Sequence, residues 1–321
     1  FSLAMEMLES EFCIQDFNNS CKRPSQPYSE AMIIYTVLSS ISLVTVVLNL
    51  LVIISISHFR QLHTPTNLLM FSLAVADLLV GLLLMPVEII YVEACWLLGD
   101  ILCILYYIVD YIITSSSVAS MVFISIDRYI AICDPLHYST KVTKRRAKIL
   151  VCLSWVCSFL YRSPNVQLNC YGDCIIIVNF AEGAVDFAVT FLGPILIIVI
   201  LYLRVFVVAV SQARAMRSHV ATVALRRSEK VKAEKSEIKA ARTLGIVVVV
   251  FLICSSPYYV FAIAAESNLV GASSSGIELW LVYCNSSINP VIYVFFYPWF
   301  RKAIKHIATL EILKPGSLMS E

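Results

Sequence analysis

The sequence predicts an all-α membrane protein, a bundle of seven transmembrane helices followed by a short amphipathic eighth helix. Its 321 residues are 59% hydrophobic and only 14% charged, whereas soluble domains are nearer half apolar and a quarter charged. Seven segments each contain the ~20 mostly apolar residues that a membrane-spanning helix needs. The net charge of +2 provides no overall basic field, so no nucleic-acid partner is predicted.

The predicted spans follow one another with short connections. They lie near residues 31–57, 66–92, 101–133, 147–167, 183–209, 240–265 and 277–297. The resulting regions are an extracellular tail 1–30, the bundle 31–297, an amphipathic interfacial helix 298–309 and a cytoplasmic tail 310–321. A charged cytoplasmic loop, about 211–239, is either a solvated run that sets topology or a docking site for a cytoplasmic protein.

Basic residues predict the orientation of the bundle. Only Lys22, Arg23 and Arg162 of the 24 Lys and Arg residues fall on the N-terminal side. Because cytoplasmic loops are rich in Lys and Arg, we expect a multi-pass plasma-membrane protein, in contact with lipid, whose N-terminus is outside. Fourteen of the 22 acidic residues lie outside or in the outer half of the bundle, so the outer mouth should concentrate cations.

Ionisable residues inside the spans indicate function, because they are expensive to bury in a membrane. Asp77 lies in the middle of the second span, and Asp110 lies in the outer part of the third. Arg128 follows Asp110 by 18 residues, which is five turns on the same helix face and ~27 Å. No basic residue of the outer halves is placed to neutralise Asp110, so a ligand cation is its expected partner.

Further acids and aromatic residues are candidates for the same cation site, because aromatic faces attract ammonium groups. The alternatives are that the glutamates reach water at helix ends and that the aromatic rings only pack or anchor in the membrane. The candidates are Glu88, Glu182, Asp186, Glu278, Tyr106, Tyr107, Tyr258, Tyr259, Trp280 and Tyr283.

The motifs of several other function classes are missing from the sequence. All five histidines fall at the cytoplasmic side, and there is no GxGxxG, P-loop or HExxH motif, so these features predict no enzyme, no metal site and no cofactor. An odd span count and the lack of a repeat disfavour a transporter. The six outer cysteines allow fifteen disulfide pairings, and the sequence alone does not choose among them.

Seven features in order resemble the rhodopsin-like G-protein-coupled receptors over about residues 30–310. They are Asn49, Leu73-x-x-x-Asp77, Asp127-Arg128-Tyr129, Trp155, Pro194, Pro257 and Asn289-Pro290-x-x-Tyr293. Within that family, three stretches resemble the trace amine-associated receptors. These are the run from Asn285 to Phe300, Cys170-x-Gly-Asp-Cys174, and Asn18-Asn19-Ser20-Cys21, in which Asn18 is a glycosylation sequon.

The resemblance implies a receptor for extracellular amines that signals through a heterotrimeric G protein, of the stimulatory kind, in olfactory sensory neurons. It implies that Asp110 binds the amine and that Trp280 and Tyr283 belong to the pocket. It also implies disulfides Cys103–Cys174 and Cys21–Cys170, and a polar core of Asp77 and Asn49 that binds sodium. Activation and G-protein coupling are assigned by resemblance to Asp127, Arg128, Tyr129, Asn289, Pro290 and Tyr293.

Asp186 indicates a more specific ligand. Catecholamine receptors have serines in this part of the fifth helix, whereas some fish trace amine receptors, which this chain resembles, are thought to read diamines with such an acid. Because packed helices lie ~8–10 Å apart, Asp110 and Asp186 could span a short diamine or polyamine of the cadaverine, putrescine or agmatine type. A monoamine or tertiary-amine receptor is the alternative. A non-signalling relative is another, because Ser255 stands where the family usually has a helix-six Trp.

Overall fold

The computed structural model describes residues 28–91, 95–96, 98–160, 167–168, 174, 176–177, 180–219, 245–247, 249–261 and 277–309. In this described part, eight helices follow one another along the chain. They are α1 (Tyr28–His58), α2 (Pro65–Leu79, Val80–Leu84 and Met85–Tyr91), α3 (Gly99–Cys133), α4 (Lys144–Leu160), α5 (Phe180–Asp186, Phe187–Leu192 and Gly193–His219), α6 (Gly245–Phe261), α7 (Ile277–Phe296) and α8 (Pro298–Ala308). Smaller elements are the 3₁₀ turns Arg60–Leu62 and Pro135–His137 and the short helix Tyr138–Lys141.

The outer faces of the helices are apolar, as a lipid-facing surface requires. Large side chains such as Ile33, Leu43, Phe206 and Ile253 are 64–66% exposed, which water would penalise and hydrocarbon would not. Among the described residues, α1, α2, α3 and α5 are each long and apolar enough to cross a membrane, and α7 is a fifth only if it and its bent continuation are counted as one span. Helices α4 and α6 are shorter within those ranges.

Helix α8 turns away from α7 by 99°. Pro298 begins it, a position where the missing backbone N–H costs nothing. Phe300 and Ala303 on one face are fully buried, whereas Arg301 and Lys302 on the other are exposed. This two-sided pattern is that of an amphipathic helix lying along a membrane surface.

Two π-helical turns, Val80–Leu84 in α2 and Phe187–Leu192 in α5, interrupt the regular helical spacing. Each turn ends shortly before a proline, Pro86 in α2 and Pro194 in α5. A proline lacks the backbone N–H that would continue the regular hydrogen bonding of the helix. Each inserts additional residues into a turn, so side chains on the two sides of it no longer follow a 3.6-residue repeat. The acids Glu88 and Asp186 lie on the far side of these turns from the inner half of their helices. The helix face on which each acid lies therefore cannot be predicted by counting residues from that inner half.

Helix α3 is central, packing against α2, α4 and α5. One core cluster joins Leu73 of α2, Met121 of α3, Ile198 of α5, Phe251 of α6 and Tyr293 of α7. This shared core fixes the positions from which the inward-facing polar residues project.

A disulfide between Cys103 and Cys174 ties the outer end of α3 to the segment before α5, with a Cα–Cα distance of 5.7 Å. This confirms one of the two expected bridges. The other, Cys21–Cys170, and the sequon at Asn18 lie outside the described residues. Cys95 is also disulfide-bonded, although neither expected bridge includes it.

The fourth predicted span, 147–167, differs from the observed helix. Helix α4 begins earlier, at Lys144, and is described to Leu160. The predicted end was wrong, because Gln167–Leu168 (β1) pairs with Ile176–Ile177 (β2) as a two-stranded antiparallel sheet, Gln167 opposite Ile177. Pro164 precedes this strand, and proline disfavours a helix interior. Helix α5 extends into the long loop as far as His219, and residues 220–239 lie outside the description.

Candidate functional site

A cavity of about 110 Å³ lies between α3, α5, α6 and α7. Both carboxylates predicted to hold a ligand, Asp110 and Asp186, line it, and each is half-buried. None of the described residues around it is Lys, Arg or His. The other lining residues are Tyr111, Thr114, Ser115, Val118, Thr190, Phe251, Ser255, Tyr258, Tyr259, Leu279, Val282 and Tyr283.

A chain of oxygen contacts leads from Asp110 to a third acid. The buried Tyr283 hydroxyl donates to Asp110 Oδ1 at 3.0 Å. It lies 3.3 Å from the Tyr106 hydroxyl, which donates to Glu88 Oε1 at 2.6 Å. Helices α2, α3 and α7 each contribute to this chain, hereafter the Glu88–Asp110 chain. It fixes the Asp110 carboxylate from one side.

The α5 side of the cavity combines Asp186 with aromatic residues. Thr190 donates its hydroxyl to the Asp186 main-chain oxygen at 2.7 Å and lies 3.1 Å from the Tyr259 hydroxyl. Tyr259 stacks on Phe191 with ring centroids 4.2 Å apart. Tyr258 contacts Tyr259 edge-on at 5.2 Å. An ammonium group near Asp186 would therefore meet aromatic faces as well as a carboxylate.

Not every residue predicted for the ligand site lines this cavity. Glu88 and Tyr106 lie one step behind it, in the Glu88–Asp110 chain. The Tyr107 hydroxyl donates to the Cys174 main-chain oxygen at 2.8 Å. Trp280 is buried against Tyr283, with ring centroids 6.3 Å apart. Two residues complete this set: Glu278, which begins α7 without lining the cavity, and Glu182, whose side chain lies outside the description.

Sequence reasoning did not assign the serine and threonine residues of the cavity to the ligand site, above all Ser255. This residue is 2% exposed and lines the cavity. Its hydroxyl has no hydrogen-bond partner within the described part of the chain. Thr114 and Thr190, which also line the cavity, were missed too. For Ser255 a signal existed, since it interrupts the expected helix-six motif; for the threonines no motif distinguishes them from other span residues.

A second polar cluster surrounds Asp77, which is fully buried in the bundle. Ser286 and Ser117 donate hydroxyls to Asp77 Oδ1 at 2.9 and 3.3 Å, and Asn289 donates its amide to Oδ2 at 2.9 Å. Asn49 joins through the backbone, donating to Ser286 O at 2.9 Å. The cluster thus links α1, α2, α3 and α7 below the cavity.

At the C-terminal end of α3, Arg128 is held by its neighbours. Its guanidinium donates to Asp127 Oδ2 and to the Thr66 hydroxyl at 2.7 Å. Thr66 in turn donates to Asp127 at 2.8 Å, and Tyr138 of the loop helix donates to Asp127 at 2.9 Å. Burial raises the pKa of Tyr138, which keeps it a donor. We call these four residues the inner clamp.

The other residues implied in activation pack near this end. Tyr129 packs beside the buried pair Ile132 and Val205. Pro290 lies inside α7 and Tyr293 is buried in the shared core, with its ring 5.8 Å from that of Tyr297. The structure thus places Asp127, Arg128 and Tyr129 near one end of the bundle and Asp110 and Asp186 near the other.

Comparisons with known proteins agree with this arrangement. Residues 48–293 match the family described as 7 transmembrane receptor (rhodopsin family). The chain is 38% identical to trace amine-associated receptor 13c of Danio rerio over 96% of this chain and 95% of that protein. It is 40% identical to trace amine-associated receptor 8b of Mus musculus over 96% of this chain and 95% of the relative, and 35% identical to receptor 4 of Rattus norvegicus over 97% and 95%. The chain therefore belongs to the rhodopsin family of seven-transmembrane receptors, not to an enzyme family, and within it to the trace amine-associated receptors.

Proposed function

We propose that this receptor detects extracellular diamines or polyamines of the cadaverine, putrescine or agmatine type. The single observation that carries the proposal is that Asp110 and Asp186, from α3 and α5, line one cavity. Family membership supports the coarser statement, a multi-pass membrane receptor for amines that acts through a heterotrimeric G protein. The second carboxylate favours a ligand with two positive charges.

Charge balance is the physical reason for a dication. Two half-buried carboxylates in one cavity repel each other and lose solvation, and a partner cation offsets both costs. A monoamine would neutralise only one of them. A diamine places an ammonium group at each carboxylate, and its apolar chain crosses a cavity lined by Tyr258, Tyr259 and Tyr283.

The volume of the cavity supports a small ligand. At about 110 Å³ it is well below the ~300 Å³ at which pockets for drug-sized molecules begin. In the proposed pose one ammonium meets Asp110, which Tyr283 holds in place, and the other meets Asp186 under the ring of Tyr259. Cation–π attraction from these rings adds to both ion pairs.

Signalling follows from a two-state bundle. Ligand binding favours a state in which α6, hinged near Pro257, moves outward on the cytoplasmic side and Arg128 leaves the inner clamp to meet a G protein. Because ligand and G protein bias the same equilibrium, each strengthens the binding of the other. The proposal includes three further points that the sequence suggests. The G protein is of the stimulatory subtype, the receptor lies in the plasma membrane with its N-terminus outside, and the cells are olfactory sensory neurons.

The Asp77 cluster fits a sodium ion. A carboxylate and the hydroxyls of Ser117 and Ser286 provide oxygen ligands. The Oδ1 atoms of Asn49 and Asn289 are buried and accept no hydrogen bond from described residues, so two further oxygens remain for a cation. When bound, sodium would neutralise Asp77 and hold α1, α2, α3 and α7 together in the resting state.

The test compares cadaverine with pentylamine, which has the same chain and one charge, in cells that report cAMP. In Asp186→Asn we expect the potency of cadaverine to fall about ten- to hundredfold, because one charged hydrogen bond is worth about 1.5–3 kcal/mol, while that of pentylamine stays nearly constant. Asp110→Asn should weaken both. Equal losses for both ligands in Asp186→Asn would contradict the diamine proposal, leaving a monoamine or tertiary-amine receptor.

A second candidate is a non-signalling relative of such receptors, which Ser255 favours because the family usually places a Trp there. That candidate predicts ligand binding with no G-protein response. Measuring ligand binding to the receptor in membranes beside cAMP in the same cells separates the two. Binding without cAMP production at any G-protein level would favour this candidate, whereas agonist-driven cAMP removes it.

A further inference from the structure

Ser255 of α6 lines the ligand cavity, as do Phe251 of the same helix and Val118 of α3. Its side chain is 2% exposed, and its hydroxyl has no hydrogen-bond partner among the residues that the structure describes. An unpaired buried hydroxyl costs about 1–3 kcal/mol. In native proteins such a group calls for an explanation, and a role in binding is one of them.

Three other hydroxyls that line the cavity are already engaged. Thr114 donates to the Asp110 main-chain oxygen at 2.8 Å, Thr190 to that of Asp186 at 2.7 Å, and Tyr283 to the Asp110 carboxylate. The next residue of α6 behaves in the same way, since Ser256 donates to Leu252 O at 2.6 Å, one turn earlier. A helical serine usually satisfies itself by this back-bond, and Ser255 does not.

We propose that Ser255 is a specificity-determining ligand contact, whose hydroxyl bonds a polar group in the middle of the ligand chain. The inference rests on the proposed function and deepens it. Asp110 on α3 and Asp186 on α5 take the two ammonium ends, and Ser255 on α6 takes a hydroxyl or an amine nitrogen between them. The preferred ligand class is therefore a diamine or polyamine with a polar group inside the chain.

The Ser255 hydroxyl should favour a ligand with an internal polar group over a plain alkyl diamine. A plain alkyl diamine places methylene groups against the Ser255 hydroxyl, which excludes water and leaves the hydroxyl unpaired. A site built around a hydrogen bond discriminates strongly against a ligand that lacks the matching group, because the buried polar atom is then stranded. A ligand hydroxyl can both donate to and accept from Ser255, and an internal ammonium can donate to it.

The experiment uses the full-length receptor in cells and two agonists, cadaverine and its derivative with a hydroxyl on the central carbon. Binding and cAMP are measured for wild type, Ser255→Ala, Ser255→Thr and the matched control Ser256→Ala. Wild type should prefer the hydroxylated ligand about three- to tenfold, the size of one neutral hydrogen bond. Ser255→Ala should abolish this preference, whereas Ser255→Thr, which keeps the hydroxyl, and Ser256→Ala should retain it.

The ratio of the two potencies within each variant is the readout, so a change in surface expression cancels. Equal potency of the two ligands on wild type would overturn the inference and leave the proposed function standing. The same holds if Ser256→Ala removes the preference as Ser255→Ala does. Failure of both diamines to bind wild type would overturn the proposed function, and this inference with it.

Discussion

Glu88 should influence amine binding without touching the amine. It lies one step behind the cavity and is joined to Asp110 through Tyr106 and Tyr283, at oxygen–oxygen steps of 2.6, 3.3 and 3.0 Å. The two carboxylates are thus no more than about 9 Å apart by these steps. The perturbation is Glu88→Gln, which keeps the shape of the side chain and an oxygen for Tyr106 but removes the charge.

The magnitude follows from Coulomb's law. A unit charge about 9 Å from an ammonium at Asp110 attracts it by about 1.8 kcal/mol at an effective dielectric constant of ~20, which is about twentyfold in affinity. Glu88 is only half-buried, and exposed charges more than ~8 Å apart are largely screened at physiological salt. We therefore expect a loss of about three- to twentyfold in Glu88→Gln, equal for monoamines and diamines, because the ammonium at Asp110 is common to both.

The assay is agonist potency for cadaverine and pentylamine in cells that report cAMP, with expression matched between variants. Asp100→Asn is the control, because this acid begins α3 at an exposed position and water should screen its charge. A change of less than twofold for both ligands would show that Glu88 does not act on the site. A loss confined to cadaverine would instead make Glu88 a direct partner of the second ammonium, and would refute the placement of Glu88 behind the cavity.

Two further predictions concern the cytoplasmic side. Thr66→Val removes a hydroxyl that donates to Asp127 and accepts from Arg128; loosening the inner clamp should raise basal cAMP, and unchanged basal cAMP with normal expression would contradict a restraining role. Lys141 and His137 hold the pKa of Asp134 at about 2, below its usual 3.8. The ion pairs of Asp134 stabilise the folded state fully at pH values above the unfolded-state pKa of this carboxyl, and they are lost as the pH falls toward 2. Asp134→Asn should therefore leave the pH profile of agonist potency between about pH 5 and 8 unchanged.

The helical framework was predictable because lipid leaves the chain few choices. Backbone groups in hydrocarbon must bond within the segment, so an apolar run of sufficient length becomes a helix. The same physics made Asp110 and Asp77 conspicuous, since a buried acid in a span is expensive and rare. In the described residues both point into the bundle, toward Tyr283 and toward Asn289, where a partner can offset that cost.

The lateral position of each outer residue could not be predicted in the same way. Asp77 and Glu88 are 11 residues apart, which would be about three turns of a regular helix, but the π-helical turn Val80–Leu84 lies between them. In the structure Glu88 bonds Tyr106 instead of lining the cavity with Asp110. A proline indicates where such a turn can form, but it does not fix how many residues the turn contains. The helix face on which residues beyond Pro86 lie is therefore set by packing in three dimensions and not by the local sequence.

Ser255, which stands where the family usually has a helix-six Trp, has one consequence for signalling. Ser255 is too small to reach from the cavity into the core, but Phe251, one turn deeper on α6, belongs to both. Its ring lines the cavity and packs in the cluster that contains Met121, Ile198 and Tyr293. A tightly packed core does not deform continuously. A ligand that displaces the Phe251 ring should therefore shift the packed cluster as a unit. A ligand bound in this cavity would therefore reach the core through Phe251, one turn deeper on α6 than Ser255.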